Sequence, residues 1–199
     1  MKKLASLSIF ILVLSLALMG CVGMGAVEIV DLGGCMTEIE VRNTALLGAN
    51  SVTHINNDFI MTLNADRHTY STTDVISIWG TLEYVGDSEC ILIWHGCPFM
   101  IFYISGGDFG DGFGGFRSLV SFSNVLNMGR AYHFDFQKSG VWSADDPNAD
   151  FFEGLFAAEE LILPAGNYTI TLVGDFSLSE RVMDSESGLR AELNITVTQ

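Results

Sequence analysis

Positive charge is what this chain has least of. Its 199 residues carry 9 Lys and Arg against 24 Asp and Glu, a formal net charge of −15. That field repels phosphate polymers and anionic headgroups, which argues against nucleic acid as a partner. Proline is scarce, at three residues. Beyond about residue 37 no helical periodicity lasts for three turns, which excludes a helix bundle. The signatures of common catalysts are missing too. There is no Gly-x-Ser-x-Gly elbow, no Walker loop and no zinc-protease helix. His54, His68, His95 and His133 are scattered, with no pair at metal-binding helical spacing. The expectation is a protein that binds rather than catalyses.

What the chain does have begins at its start. Lys2 and Lys3 precede an uncharged apolar run from Leu4 to Met19, which ends on Leu18-Met19-Gly20-Cys21. About 16 apolar residues fall short of the ~20 that span a bilayer as a helix. The charged front, apolar middle and small-residue end are those of a cleaved export signal. The closing tetrapeptide resembles the lipobox of prokaryotic lipoproteins. That resemblance implies a diacylglyceryl thioether on Cys21, which becomes the first mature residue, and a place on the extracytoplasmic face of the cell membrane. Two acyl chains meet the condition for stable anchoring. The organisation expected is a signal peptide over 1–20, a lipidated cysteine and Gly-rich tether over 21–36, and one folded domain over 37–199. Cleavage removes two of the nine basic residues and none of the 24 acidic ones, leaving a net −17 with Lys138 as the one lysine.

With Cys21 assigned to lipid, Cys35, Cys90 and Cys97 remain. In an exported protein Cys90 and Cys97 are disulfide candidates, close enough to bridge a strand–turn–strand unit. Cys35 lies in the Gly-rich segment and is an alternative partner for either. A metal reading would instead use Cys90, His95 and Cys97, without a clear fourth ligand.

From residue 37 onward, short β-branched and aromatic runs alternate with turn residues, the pattern of an antiparallel β-sandwich. Strands are expected over Glu38–Asn43, Phe59–Asn64, Asp74–Tyr84, Cys90–Trp94, Pro98–Ile104, Ser118–Leu126, Ala131–Phe136 and Leu189–Thr198, with another entered at Tyr168. In the third of these, Ile76, Ile78, Leu82 and Tyr84 form the core side, because Ser77, Thr81 and Glu83 share the other. In the last, Leu189, Ala191, Leu193, Ile195 and Val197 alternate with polar residues. Ala149–Leu163 reads either as a short helix or as strand plus loop.

Leu163-Pro164-Ala165-Gly166-Asn167-Tyr168 resembles the entry to a late strand in immunoglobulin-like sandwiches, where a corner tyrosine bonds back across the turn. Together with Tyr70-Ser71, Asp74, Val75, Ile78, Leu82 and Gly86-Asp87, it resembles the BsuPI-type proteinase-inhibitor domain and related bacterial immunoglobulin-like modules. The resemblance implies an all-β, antiparallel immunoglobulin-like fold. It also implies one alternative role, inhibition of an exported protease.

Two segments carry candidate sites. Gly106–Phe116 holds Asp108 and Asp111 among glycines, a composition open to calcium. It also holds Phe109, Phe113 and Phe116, candidates for contact with a protein or glycan ligand. Asp145, Asp146 and Asp150, around Pro147-Asn148, form a second possible calcium cluster. Trp142 beside them is a further ligand-contact candidate, and Trp79 and Trp94 complete a possible sugar-stacking set.

Overall fold

The computed structural model describes residues 50–56, 58–107, 112–116, 118–140, 143, 145–180 and 187–199. The expected signal peptide, Cys21, Cys35, the tether and the strand over Glu38–Asn43 lie outside these. The elements in order are β1 (Asn50–Ile55), β2 (Phe59–Ala65), β3 (Thr69–Ser71), β4 (Ile78–Tyr84), β5 (Cys90–Gly106), β6 (Phe113–Gly114), β7 (Ser118–Asn127), β8 (Ala131–Asp135), α1 (Ala149–Ala157), β9 (Gly166–Ser177) and β10 (Arg190–Thr198). One sheet runs β1-β2-β4-β8. The other runs β3-β10-β9-β5-β6, with β7 also paired to β5. All of these pairings are antiparallel except β3 with β10. The fold is an all-β sandwich.

Period-two alternation builds both inner faces. Along β10 and the residue before it, Leu189, Ala191, Leu193, Ile195 and Val197 are all buried, while Arg190, Glu192 and Asn194 face water. Ile76, Ile78, Leu82 and Tyr84 line the core as expected, although regular pairing begins only at Ile78. Burying each large aliphatic side chain is worth about 1.5–3 kcal/mol. Rings tie the layers together: Phe99 of β5 meets Phe134 of β8 edge-on at 5.2 Å, and Phe59 of β2 meets Phe176 of β9 at 5.1 Å.

The corner tyrosine stands where the sequence puts it. Tyr168 is buried, and its hydroxyl donates to the Pro164 carbonyl at 2.9 Å. Tyr168→Phe leaves that carbonyl without its donor, so we expect a loss of about 1–2 kcal/mol in chemical denaturation. An unchanged midpoint would show that water replaces the hydroxyl. A second buried tyrosine closes the loop before β3: Tyr70 donates to Asp66 Oδ1 at 2.6 Å and accepts from the Arg67 amide.

One expectation is corrected by β5. Cys90–Trp94 and Pro98–Ile104 are not two strands around a turn but one strand of 17 residues with a bulge between His95 and Met100. Its first half pairs with β7, its second with β6, and β9 flanks both. Cys90 stands opposite Asn127 and Cys97 opposite Ser118, at the two ends of β7. Seven extended residues separate Cα atoms by roughly 20 Å, whereas a disulfide requires about 7 Å or less. Cys90 and Cys97 therefore do not bridge one another, although each is disulfide-bonded, as expected of the two candidates.

Candidate functional site

The two candidate segments read separately from the sequence meet in the fold. The β5–β6 hairpin pairs Ile104 with Phe113 and Tyr103 with Gly114. This turns Phe113 inward, where it is buried, and leaves Phe116 61 % exposed. Gly112 makes the turn possible: its φ is +83°, and a Cβ there would run into the Ile104 carbonyl. Facing the hairpin is α1. Phe152, Leu155 and Phe156 recur at i, i+3 and i+4, so the helix turns one apolar stripe toward the sandwich. Phe113 packs edge-on to Phe152 at 6.1 Å and to Phe156 at 6.3 Å.

The acidic turn leads into this helix. Asp146 accepts the Asn148 amide on its carboxylate at 2.8 Å and the Ala149 amide on its carbonyl at 2.9 Å. At the other end, the Lys138 ammonium donates to the carbonyls of Leu155 at 2.7 Å, Glu160 at 2.8 Å and Ala158. A cation there satisfies helix C-terminal carbonyls and suits the dipole. Burial holds its pKa below the usual lysine range, against the pull of Glu160. Both ends of the helix are thus held by hydrogen bonds, while Phe113 of the hairpin packs on its apolar stripe.

Between them lies a groove of about 460 Å3, lined by Gly112–Phe116, Gly140, Asp146, Asn148, Phe152 and Phe156. That volume is in the range of ligand pockets, and the lining mixes four phenylalanine rings with glycine backbone and the polar side chains of Asp146 and Asn148. Phe116 and Asp146 meet here as expected site residues. Phe113 is a wall packed from behind, which corrects its reading as an exposed contact. Among the described residues no three His, Cys, Asp or Glu side chains are grouped to hold a metal, Asp145, Asp146 and Asp150 included. Asp145 and Asp150 are exposed, and Asp146 serves its own turn. Asp108, Phe109, Asp111 and Trp142 lie outside the described residues. Trp79 and Trp94 alternate out of phase with the buried residues of β4 and β5, so they point away from the core on opposite sheets and form no shared platform. The same alternation separates Cys90 from the buried His95 and removes the metal reading for Cys90, His95 and Cys97.

A second, smaller cavity of about 40 Å3 opens where the β5 bulge meets β8, among His95, Phe99, Phe102, Asn124, Phe134, Asp135 and Gln137. Nothing in the sequence marked it. His95 is buried between the rings of Phe99 at 4.3 Å and Phe122 at 6.1 Å. Its Nδ1 bonds the Gly96 carbonyl, so that nitrogen carries the proton, and Nε2 accepts from Asn124 Nδ2 at 3.0 Å. Burial pushes the imidazole pKa below its usual value, although the Gly96 bond and Asp175 favour the charged form. The folded state therefore resists a proton that the unfolded chain accepts. Stability from this group is complete above about pH 6.5 and falls as pH drops below it, by at most about 1.4 kcal/mol per pH unit. Urea unfolding at pH 7.5 and 5.0 checks this: we expect His95→Gln to lose part of the wild-type pH dependence, and an identical dependence would refute it.

No family model matches the chain, and no curated protein matches it. The groove and the cavity must therefore be read from their own chemistry.

Proposed function

We propose that the protein is a lipid-anchored extracytoplasmic lipoprotein whose sandwich is a non-catalytic binding module, engaging a partner through the groove between the glycine hairpin and α1. The observation that supports this is Phe116, a large ring left 61 % exposed at a groove whose other aromatic walls are packed and fixed. Exposed rings beside a preformed pocket are common anchors of interfaces. The anchor is supported by the apolar run ending at Gly20-Cys21. Among the described residues no helix is long and apolar enough to cross a membrane.

Two measurements test the two halves. Wild-type protein should fractionate with membranes and Cys21→Ser should move to the soluble extracytoplasmic fraction; equal partitioning would remove the anchor. A photo-crosslinking amino acid at position 116 should capture one reproducible partner on cells, and the same probe at Ile55, exposed at the end of β1 in the other sheet, should not. Equal capture at both positions would remove the groove from the reading. If the partner is an exported protease, the role becomes the inhibitory one that the BsuPI-type resemblance implies, and Phe116→Ser should abolish inhibition.

A further inference from the structure

We infer that the partner enters this groove with a cationic side chain, an arginine or lysine carried on a segment of a protein; this rests on the reading of the groove as a binding site. Rings form part of its walls: Phe113 lies edge-to-face with both Phe152 and Phe156, and Phe116 stands at the rim. An aromatic face attracts a cation through its quadrupole, most strongly where the site is partly shielded from water. Among the described residues, the one ionisable side chain lining the groove is Asp146. Its Oδ1 accepts the Asn148 amide, which leaves the second carboxylate oxygen available to a donor. Neighbouring Asp145 and Asp150 are exposed acids, and among the described residues no basic side chain lines the groove. The whole chain carries −15, so approach of a basic segment is favoured over long range as well. An aromatic cleft with a carboxylate at its rim suits the planar guanidinium, which stacks on rings and bonds a carboxylate at its edge. An acidic or phosphorylated segment would meet like charge at every step of its approach.

The test uses the full chain in uncharged detergent micelles and two fluorescent eight-residue peptides. One carries three arginines among glycine and serine, and its twin carries citrulline at those positions, keeping shape and hydrogen-bonding groups while removing charge. The expected result is binding of the arginine peptide at least fivefold tighter than its twin, weakened at least threefold by Phe116→Leu and by Asp146→Asn, and weakened by added salt. Phe116 is exposed and asparagine can keep the turn bond of Asp146, so both variants should melt like the wild type; a variant that does not is replaced by Phe116→Met or by the salt titration alone. Equal affinity for the two peptides overturns the charge preference and leaves the groove as an apolar site, with crosslinking at position 116 intact. Preference for arginine that survives Phe116→Leu and Asp146→Asn places the cation elsewhere on the acidic surface and also overturns the inference. Full displacement of the peptide by millimolar tetramethylammonium alone would assign the groove to a small free cation and overturn the protein segment. Failure of both peptides to bind overturns the inference, whereas only loss of specific crosslinking at position 116 would overturn the groove itself.

Discussion

Leu172→Ala should cost about 3–5 kcal/mol, enough to unfold a domain of ordinary stability at moderate temperature. Leu172 is fully buried on β9 and lies over Gly80 of β4 in the opposite sheet, where a Cβ at position 80 would sit 2.6 Å from Leu172 Cδ2. The glycine is the socket into which the leucine fits. Shortening the leucine leaves a cavity with no side chain on the facing strand to relax into it, so the cost lies toward the upper end for this substitution. Gly80→Ala alone should also destabilise, by overpacking. The pair should then be non-additive: Gly80→Ala with Leu172→Ala should be more stable than the sum of the single losses implies, because each relieves the other. Denaturant unfolding of the four proteins in the cycle measures this. Strict additivity, or a loss below about 1 kcal/mol for Leu172→Ala, would show that the sheets do not interlock here.

The second large effect is on the groove. Gly112→Ala should dismantle the β5–β6 hairpin, with position 116 losing at least tenfold in specific crosslinking. Two penalties combine at this residue. A left-handed φ of +83° costs a non-glycine residue about 1–2 kcal/mol, and the added Cβ collides with the Ile104 carbonyl, which cannot step aside because β5 is paired to β9 along its other edge. Gly129 supplies the control. Its φ is +69°, yet nothing lies within 4 Å of a Cβ built there, so Gly129→Ala carries the dihedral penalty without the collision. Gly129→Ala should lose only about 1 kcal/mol in thermal or chemical melts and leave crosslinking intact. Comparable behaviour of the two alanine variants would mean that the collision is absorbed.

These contrasts show what could be read from the residues and what could not. Faces were legible wherever alternation ran unbroken, as from Leu189 to Val197, because a pleat admits one side to the core and a single-residue slip would bury Arg190 and Glu192. Tyr168 was legible because its turn is local: the proline, the glycine and the tyrosine lie within five positions. The route of β5 was not. His95-Gly96-Cys97 has the composition of a turn, but the strand passes through it as a bulge, held by partners nearly 30 residues downstream in β7 and about 80 downstream in β9. The bridge between Cys90 and Cys97 fell with that turn. The groove was half legible. Its glycines, phenylalanines and aspartates stood out as two unrelated clusters, while Phe152 and Phe156, which join them, sat in a segment ambiguous between helix and strand. Their i, i+4 spacing just after Pro147 was the available sign of a helix start. The cavity beside His95 had no local signature, since its lining comes from β5, β7 and β8.

The placement of the groove also bears on how such a molecule would carry tension. The described chain enters at β1, on the margin of one sheet, while the hairpin that bears Phe116 hangs from β5 at the far margin of the other. If the domain is tethered on its N-terminal side and holds a partner at position 116, the pull acts first on two edge pairings, β1 with β2 and β6 with β5. The inter-layer contact of Leu172 over Gly80 lies behind those edges and bears load only after they open.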